Sequence, residues 1–377
     1  MMPSLLYTEV EEDLRGTVRQ VLRDRADPAD ILHRLDRDEP TDRALWMLLA
    51  NDLGLAGLPV GEDAGGAGAT WREAAVVLEE LGRAVAEVPY FTSAVLATAV
   101  LDAARRSTAA QRGDIGAATT ALAEVAKGDR TAALVVPFAA SPTTVSVTYR
   151  DGRLLGDVPL VAGTLEADLL LVPTEAGLFA LDADRAERRP ALSLDQTRRL
   201  ADLRIDAPAG PRLAGTDVLE PAGDIASALL ASEQLGLAER CLELTAEYLQ
   251  VRRQFGRTLS SYQALKHRLA DLWTAITQAR AVARYAAACA STEDADLPVA
   301  AALARVVCSR VAVTAAEECV QLHGGIGFTW EHPAHLYLKR ARADALALGG
   351  AARHRGWLGA LVGLDRPATT LSTRSER

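Results

Sequence analysis

Residues 252–256 read Arg-Arg-Gln-Phe-Gly, and residues 321–328 read Gln-Leu-His-Gly-Gly-Ile-Gly-Phe. Each stretch stands at the end of a long helical pattern. The arginine and glutamine side chains of the first stretch offer hydrogen-bond donors that suit a pyrophosphate. The adjacent glycines of the second allow a backbone to approach a ligand where no side chain would fit. The two stretches thus offer groups that a phosphate-bearing cofactor would need; the alternative interpretation is a solvated helix end at Arg252 and Arg253, and a helix C-cap with a turn at Gly324 to Gly327.

The sequence around these stretches predicts long helices that pack as an antiparallel bundle. Each predicted helix is longer than a small globular domain needs, which favours a bundle over a compact helical cluster. The helices are predicted over residues 224–253, 261–291, 297–323 and 333–362. The tail after Pro367 is polar, and we predict that it is disordered.

The middle of the chain has a different pattern, which predicts a small β domain. Short runs rich in β-forming residues alternate with turn residues such as Asp151-Gly152. We expect the β domain to be a barrel or a sandwich that ends near Arg212. The predicted strands are Ala132–Val136, Thr144–Thr148, Arg153–Leu155, Ala167–Val172 and Gly177–Leu181.

The N-terminal part is predicted to be helical. Glycines between Pro59 and Gly68 prevent a helix from continuing through that loop. Thr70 is the predicted N-cap of the next helix, because Glu73 follows three positions later as in a capping box. The helices are expected at Glu9–Arg23, Ala44–Leu55, Trp71–Ala86, 92–106 and 116–126.

These patterns predict an α+β fold with three folded parts. An all-α N-terminal domain is expected over residues 1–130 and a small β-barrel or sandwich over 131–215. A C-terminal four-helix bundle is expected over 216–366, followed by the tail 367–377.

Composition limits the possible functions. The chain has 377 residues, 49% of them apolar, which is enough for a large core. It carries 41 Lys and Arg against 50 Asp and Glu, a net charge of −9. This acidic balance argues against nonspecific binding to nucleic acid, since phosphate would be repelled.

Cysteines and apolar runs give the expected compartment. The four cysteines form no CxxC pair and lie in apolar helical stretches, which favours reduced core thiols; they are Cys241, Cys289, Cys308 and Cys319. The N-terminus has no apolar signal segment. The absence of an uninterrupted apolar run of about 20 residues predicts no membrane span. We therefore expect a cytoplasmic protein.

The two stretches and their order resemble the flavin-binding signatures of the acyl-CoA dehydrogenase family. Helices, a β insert and then a four-helix bundle form an uncommon order that is similar to the architecture of this family. The resemblance covers nearly the whole chain. Residues 59–68 also resemble a glycine-rich loop of the family, and residues 77–83 resemble part of its N-terminal domain.

The resemblance implies FAD as cofactor and a site that spans two chains. In the family, the Arg-x-x-Phe-Gly segment of one subunit contacts the pyrophosphate of a flavin held mainly by its neighbour. The Gln-x-x-Gly-Gly segment contacts the adenosine end. The matching positions in this chain are Arg252, Gln254, Phe255, Gln263, Gln321, Gly324 and Gly325.

The predicted β domain departs from the family pattern. Flavin-bearing members carry a Thr-Glu-Pro-x-x-Gly-Ser-Asp loop that contacts the flavin ring and the thioester. This chain has Val-Val-Pro-Phe-Ala-Ala-Ser-Pro at residues 135–142, without the Gly-Ser-Asp. A later Trp-x-Thr is replaced by Leu-Val-Ala-Gly at residues 160–163. The ring-binding half of the site therefore looks degraded, whereas the half that faces a neighbour looks intact.

A catalytic base is needed to remove the weakly acidic α-proton of an acyl thioester. Many relatives place a Glu at the position of Leu348, whose backbone N–H could still donate to the thioester carbonyl. Other relatives take the base from the first bundle helix, where Ala226 stands at the aligned position. Glu233, two turns further along, is the acid in an otherwise apolar stretch. We predict Glu233 as the base, with a carboxylate paired to a buried arginine as the alternative.

His323, His332 and His335 cluster loosely, and their spacing matches no metal-site pattern. No metal site is predicted.

The residues leave three functions open. The first is an FAD-dependent acyl-CoA dehydrogenase that makes a trans-2-enoyl thioester, on CoA or a carrier protein, as a homodimer or tetramer. The second is a partner subunit that completes the flavin site of a paralogous chain in a heterotetramer. The third is a flavin monooxygenase of the same fold. For the dehydrogenases, the resemblance implies an electron-transfer flavoprotein as acceptor.

Overall fold

The computed structural model describes residues 4–37, 41–107 and 113–364. The chain begins with helices, continues through two small sheets and ends with long helices, which confirms the predicted fold class. The predicted disordered tail lies outside the described residues.

The N-terminal helices pack on the C-terminal bundle through one shared apolar core. Thr70 caps its helix as predicted: its hydroxyl accepts from the Arg72 N–H at 3.1 Å, and its own N–H donates to Glu73 at 2.9 Å. A π-helical stretch, Tyr90–Ala97, leads into α5. The helices are α1 (Glu9–Arg25), α2 (Pro28–Asp36), α3 (Arg43–Met47), α4 (Trp71–Ala84), α5 (Thr98–Arg105) and α6 (Ile115–Ala126).

The middle domain is a sandwich of two four-stranded sheets with its own apolar core. One sheet has the order β1-β4-β5-β8 and the other the order β2-β3-β7-β6. The Asp151-Gly152 turn is confirmed, since it joins β2 to β3 with both residues at positive φ. The strands are β1 (Ala132–Leu134), β2 (Thr148–Arg150), β3 (Arg153–Ala162), β4 (Leu169–Thr174), β5 (Gly177–Asp182), β6 (Ala186–Ala191), β7 (Leu200–Pro208) and β8 (Arg212–Ala214).

One predicted strand needs correction, and three strands were missed. The strand predicted at 144–148 begins only at Thr148, because residues 143–147 follow a loop and pair with no strand. The strands β6, β7 and β8 were not predicted. β6 reads Ala-Glu-Arg-Arg-Pro-Ala and buries only its first residue. These residue types give a weak β-forming signal, and pairing with β7 is what makes the segment a strand.

The bundle helices α7 (Leu219–Val251) and α9 (Leu297–His323) run in the same direction and pack against each other, while α8 (Gln263–Ser291), which connects them in sequence, runs antiparallel to both. Gln234 bonds to Ser309, and the ring of Tyr248 contacts the ring of His323. Both pairs are 75 positions apart in sequence (309 − 234 and 323 − 248). Both helices therefore end at the same end of the bundle.

The predicted helix 333–362 is wrong as one continuous element. It divides into α10 (Ala334–Leu346) and α11 (Gly350–Leu361). Between them, Leu348, Gly349 and Gly350 all have positive φ, at 53°, 97° and 67°. Three successive residues in this region end a right-handed helix.

Close packing of α4 against α7 depends on glycine. A Cβ on Gly82 would lie 2.1 Å from the Glu233 carbonyl oxygen, and one on Gly236 would lie 1.8 Å from that of Glu79. This close crossing places Glu233 deep in the protein.

The stretch Leu297–Phe328 is long and apolar enough to cross a membrane, with a mean hydropathy of 1.6. However, 61% of its most apolar window is buried inside the protein. It packs between α7, α8 and α10, as a core helix does.

Candidate functional site

A β-hairpin with a two-residue turn follows α7 and exposes the Arg-Arg-Gln-Phe-Gly stretch, residues 252–256, to solvent. Arg253–Gln254 pairs with Arg257–Thr258, and Phe255 and Gly256 form the turn at φ 53° and 79°. A positive φ is strained for phenylalanine and persists where the surroundings fix it. The ring of Phe255 is 91% exposed, so this strained turn holds an aromatic side chain outside the core.

The seven positions that the family resemblance assigns to FAD are all exposed. The hairpin is braced from behind, because the Tyr262 hydroxyl donates to the Gln254 carbonyl at 3.3 Å and Arg257 stacks on the Tyr262 ring at 3.8 Å. Within the described residues, Arg252 makes no ion pair. The seven positions are Arg252, Gln254, Phe255, Gln263, Gln321, Gly324 and Gly325.

The Gly324-Gly325 pair faces solvent. A Cβ at either position would meet no atom of this chain within 4 Å. Gly324 has φ +64° and so favours glycine for conformational reasons. Gly325 has neither a positive φ nor a close neighbour. Neither backbone conformation nor a close neighbour in this chain therefore requires glycine at position 325.

A substitution at Gly325 should affect FAD binding without affecting the stability of the chain. We expect Gly325→Val to leave the free energy of unfolding within about 0.5 kcal/mol of the wild type, because the new side chain enters solvent. The same change should weaken FAD binding in the assembled enzyme. Gly327→Val is the matched control, since its Cβ would lie 2.5 Å from the Val320 carbonyl and should destabilise the chain itself. A large loss of stability in Gly325→Val would contradict this interpretation.

The segments expected to flank the flavin ring and the thioester contact each other directly. The Leu348 N–H donates to the Phe138 carbonyl at 2.9 Å, and the Gly349 N–H donates to the Ala139 carbonyl at 3.1 Å. The expectation that the Leu348 N–H is available to a thioester is therefore wrong, because this donor is already used. Leu348 is buried, at 3% exposure.

Three further contacts hold the Ala347–Gly349 turn in place. Arg305, fully buried on α9, donates to the carbonyl oxygens of Asp344 at 2.7 Å and Ala347 at 2.9 Å. The Nε2 of His354 lies 3.1 Å from the Leu348 carbonyl. The turn is thus bound on the β-domain side and on the bundle side.

His354 makes the fold sensitive to acid. Burial, and to a smaller extent Arg305, lowers its pKa to about 4. His354 is therefore neutral when folded and protonates first in the unfolded chain, so stability is lost as pH falls below about 6.5. Between about pH 6.5 and pH 5 the loss should be about 1.5 kcal/mol. Urea unfolding of the wild type and of His354→Gln at both pH values tests this: an equal loss in the variant would contradict it.

Glu233 lies in a buried ion network. Arg198 Nη2 donates to its two carboxylate oxygens at 2.6 and 2.7 Å, and Arg340 Nη1 donates to Oε1 at 2.6 Å. Burial opposes ionisation of Glu233, but Arg198 and Arg340 outweigh burial and lower its pKa. A general base for a weak carbon acid needs a pKa raised towards neutrality. The geometry therefore favours the alternative of an acid paired with buried arginines.

The network fills the space between the β domain and the bundle. Arg340 also donates to Asp195 at 2.8 Å, and Arg198 also pairs with Asp344. The guanidinium of Arg198 lies over the rings of Phe91 at 5.2 Å and Phe138 at 5.6 Å. Sequence reasoning missed both arginines, because nothing local marks them among the other arginines near 198 and 340.

Cysteines and histidines behave as packing groups. All four cysteines are free and buried, as predicted. The rings of His323 and His332 are in contact at a tilt of 45°, while the ring of His335 meets that of Trp330 edge-on. Among the residues that the structure describes, no cluster of His, Cys, Asp and Glu could hold a metal ion.

Comparison with known proteins agrees with this arrangement. Residues 8–137 match the family description "Acyl-CoA dehydrogenase, N-terminal domain", and residues 215–361 match "Acyl-CoA dehydrogenase, C-terminal domain". Acyl-CoA dehydrogenase IpdE2 of Mycobacterium tuberculosis is 38% identical, over 90% of this chain and 93% of its own length. The chain belongs to the acyl-CoA dehydrogenase family. Members of this family are oxidoreductases that act on acyl-CoA, and acyl-CoA dehydrogenation is the general activity of this chain.

Two solved structures are similar to this acyl-CoA dehydrogenase over nearly the whole chain. The ChsE4-ChsE5 complex from Mycobacterium tuberculosis aligns with a TM-score of 0.84 at 28% identity, covering 97% of this chain and 100% of the other. A variant of the Tcur3481-Tcur3483 steroid ACAD aligns with a TM-score of 0.80 at 29% identity, covering 94% and 98%.

Proposed function

We propose that this chain serves FAD-dependent dehydrogenation of an acyl-CoA thioester as the subunit that completes the flavin site of a paralogous partner. The observation that carries the proposal is the direct bonding of residues 348–349 to residues 138–139. In the family, the segments at these two positions flank the flavin ring and the thioester. In this chain the two segments bond directly to each other through their backbones.

The outward-facing half of the chain fits a flavin dinucleotide. Arg252 offers a guanidinium that would bind the pyrophosphate as a charge-assisted donor. The open backbone at Gly324 and Gly325 would admit the adenosine end beside Gln321. When bound, FAD supplies the acceptor for the hydride from the acyl Cβ. The residues of this chain would hold and orient the dinucleotide, and the ring itself would lie in the partner.

Exposed apolar side chains near this end of the bundle support an assembly. Phe255, Phe328, Trp330 and Trp273 are each more than half exposed. Most of the first half of α8, residues 263–278, is also exposed. A monomer rarely leaves so many large aromatic groups in water, so this surface favours a protein interface. Two similar solved structures are described by pairs of components, which supports a heteromeric assembly.

In this proposal the base that removes the α-proton of the acyl thioester belongs to the partner subunit. Leu348 and Ala226 are not acids, and Glu233 is held by two arginines. The product would be the trans-2-enoyl thioester, with electrons passed to an electron-transfer flavoprotein. The steroid ACAD among the similar structures makes a steroid-derived acyl group the first substrate class to test.

The flavin absorbance of the purified protein at about 450 nm tests the proposal. The chain purified alone should be colourless, and co-expression with a flavin-carrying paralogue should give a yellow complex that acyl-CoA bleaches. The partner with its own Arg-x-x-Phe-Gly arginine replaced by alanine is the matched control, because it should retain FAD held by this chain. A yellow homo-oligomer of this chain, bleached by acyl-CoA, would overturn the proposal.

A further inference from the structure

Three aromatic rings lie in contact, with their planes tilted by 30° and 45°, beside hairpin 252–258 and turn 324–328, which are called the flavin-facing segments below. Tyr248 lies near the end of α7, His323 is the last residue of α9, and His332 precedes α10. The ring centroids of Tyr248 and His323 are 4.5 Å apart, and those of His323 and His332 are 4.4 Å apart. The three rings therefore join the end of α7, the end of α9 and the turn before α10.

Each ring is connected to one of the flavin-facing segments. The backbone carbonyl of Tyr248 accepts the Arg252 N–H at 2.9 Å, which fixes the start of the hairpin. His323 is followed directly by Gly324, and its Cβ lies 3.1 Å from where a Cβ on Gly327 would stand. His332 follows the turn that these glycines begin. The three rings therefore lie on residues that adjoin the segments that the family resemblance assigns to FAD.

The ring of His323 is the central one, and the rings of Tyr248 and His332 contact it from either side. His323 is 3% exposed, and its Nδ1 lies 2.7 Å from the Cys319 carbonyl. This contact makes Nδ1 the protonated nitrogen of the ring. The Nδ1 of His332 accepts the Ala334 N–H at 3.2 Å. Tyr248 and His332 are each half-buried, and the ring of each contacts the ring of His323.

We infer that Tyr248, His323 and His332 are positioning residues that hold hairpin 252–258 and turn 324–328 at the separation that one flavin dinucleotide requires. The inference rests on the proposed function. A dinucleotide is bound at two points by these segments, so a loss of their relative position removes the advantage of holding both ends together. Aromatic contact supplies the attraction between the rings beyond their burial.

Pairs of variants that keep or remove a ring test this inference in the assembled complex. His332→Ala and Tyr248→Leu remove a ring and should each weaken FAD binding about fivefold to tenfold. His332→Phe and Tyr248→Phe keep a ring and should change FAD affinity less than about twofold. The affinity is measured by titrating FAD into flavin-stripped complex and following the flavin spectrum.

Arg252→Ala in the same complex separates the two proposals. If Arg252→Ala weakens FAD binding while His332→Ala and Tyr248→Leu do not, the positioning role is wrong and the proposed function stands. If none of the three weakens FAD binding, the proposed function itself fails. A double-variant cycle adds a readout that general destabilisation would not move: His332→Ala and Arg252→Ala should be non-additive in FAD affinity. Additive losses, with no rescue by His332→Phe, would overturn the inference.

Discussion

Replacing Glu233 with glutamine is expected to destabilise the chain by about 3–5 kcal/mol, because it breaks a buried ion pair with each of two arginines and leaves each with a single carboxylate partner, Asp344 for Arg198 and Asp195 for Arg340. Arg340 is 2% exposed, and the side chain of Arg198 is 10% exposed. Neither guanidinium can recover solvation where it stands. The loss should appear as a lower urea midpoint of the isolated chain, with or without any substrate or flavin.

Glu220→Gln is the matched control, since Glu220 lies on the same helix and is exposed. It should change stability by less than about 0.5 kcal/mol. The same pair of variants tests the sequence-based prediction that Glu233 is the base. A base would give a Glu233→Gln chain of normal stability that forms a complex without dehydrogenase activity, and that outcome would restore the prediction.

Replacing Arg252 with alanine is expected to weaken FAD binding by the assembled complex by about 10- to 100-fold, because it removes a charge-assisted donor worth about 1.5–3 kcal/mol. The isolated chain should keep its stability, since Arg252 is exposed and makes no ion pair in the described part of the chain. Equilibrium titration of FAD, with urea unfolding in parallel, measures both effects.

Arg253→Ala is the control for net charge. Arg253 is adjacent and exposed, but its side chain turns back to the Gly256 carbonyl at 3.3 Å. It should affect FAD binding much less than Arg252→Ala does. Equal losses from the two variants would mean that general positive charge, and not the position of Arg252, attracts the cofactor. If Arg252→Ala leaves the affinity for FAD unchanged, the hairpin 252–258 is not part of the flavin site.

The sequence predicted the α+β fold and the order of its parts because the relevant signals are local. Helical periodicity located α8 and α9 almost to the residue, and the Thr70 capping box marked the start of α4. Turn chemistry located the Asp151-Gly152 hairpin. The break at Ala347–Gly349 was missed, because it depends on contacts from the β domain and from Arg305 that no local pattern encodes.

The family of this chain could be predicted from the sequence alone, because its motifs are strings of neighbouring residues. The same motifs single out the seven positions that we propose contact a flavin. The tertiary structure was needed to show that residues 348–349 bond to residues 138–139 and that Glu233 is an ion-pair partner. Both facts depend on residues more than 100 positions apart: Phe138 meets Leu348, and Glu233 meets Arg340. Burial and pairing across such distances set the state of a carboxylate, and they exist only after the chain has folded.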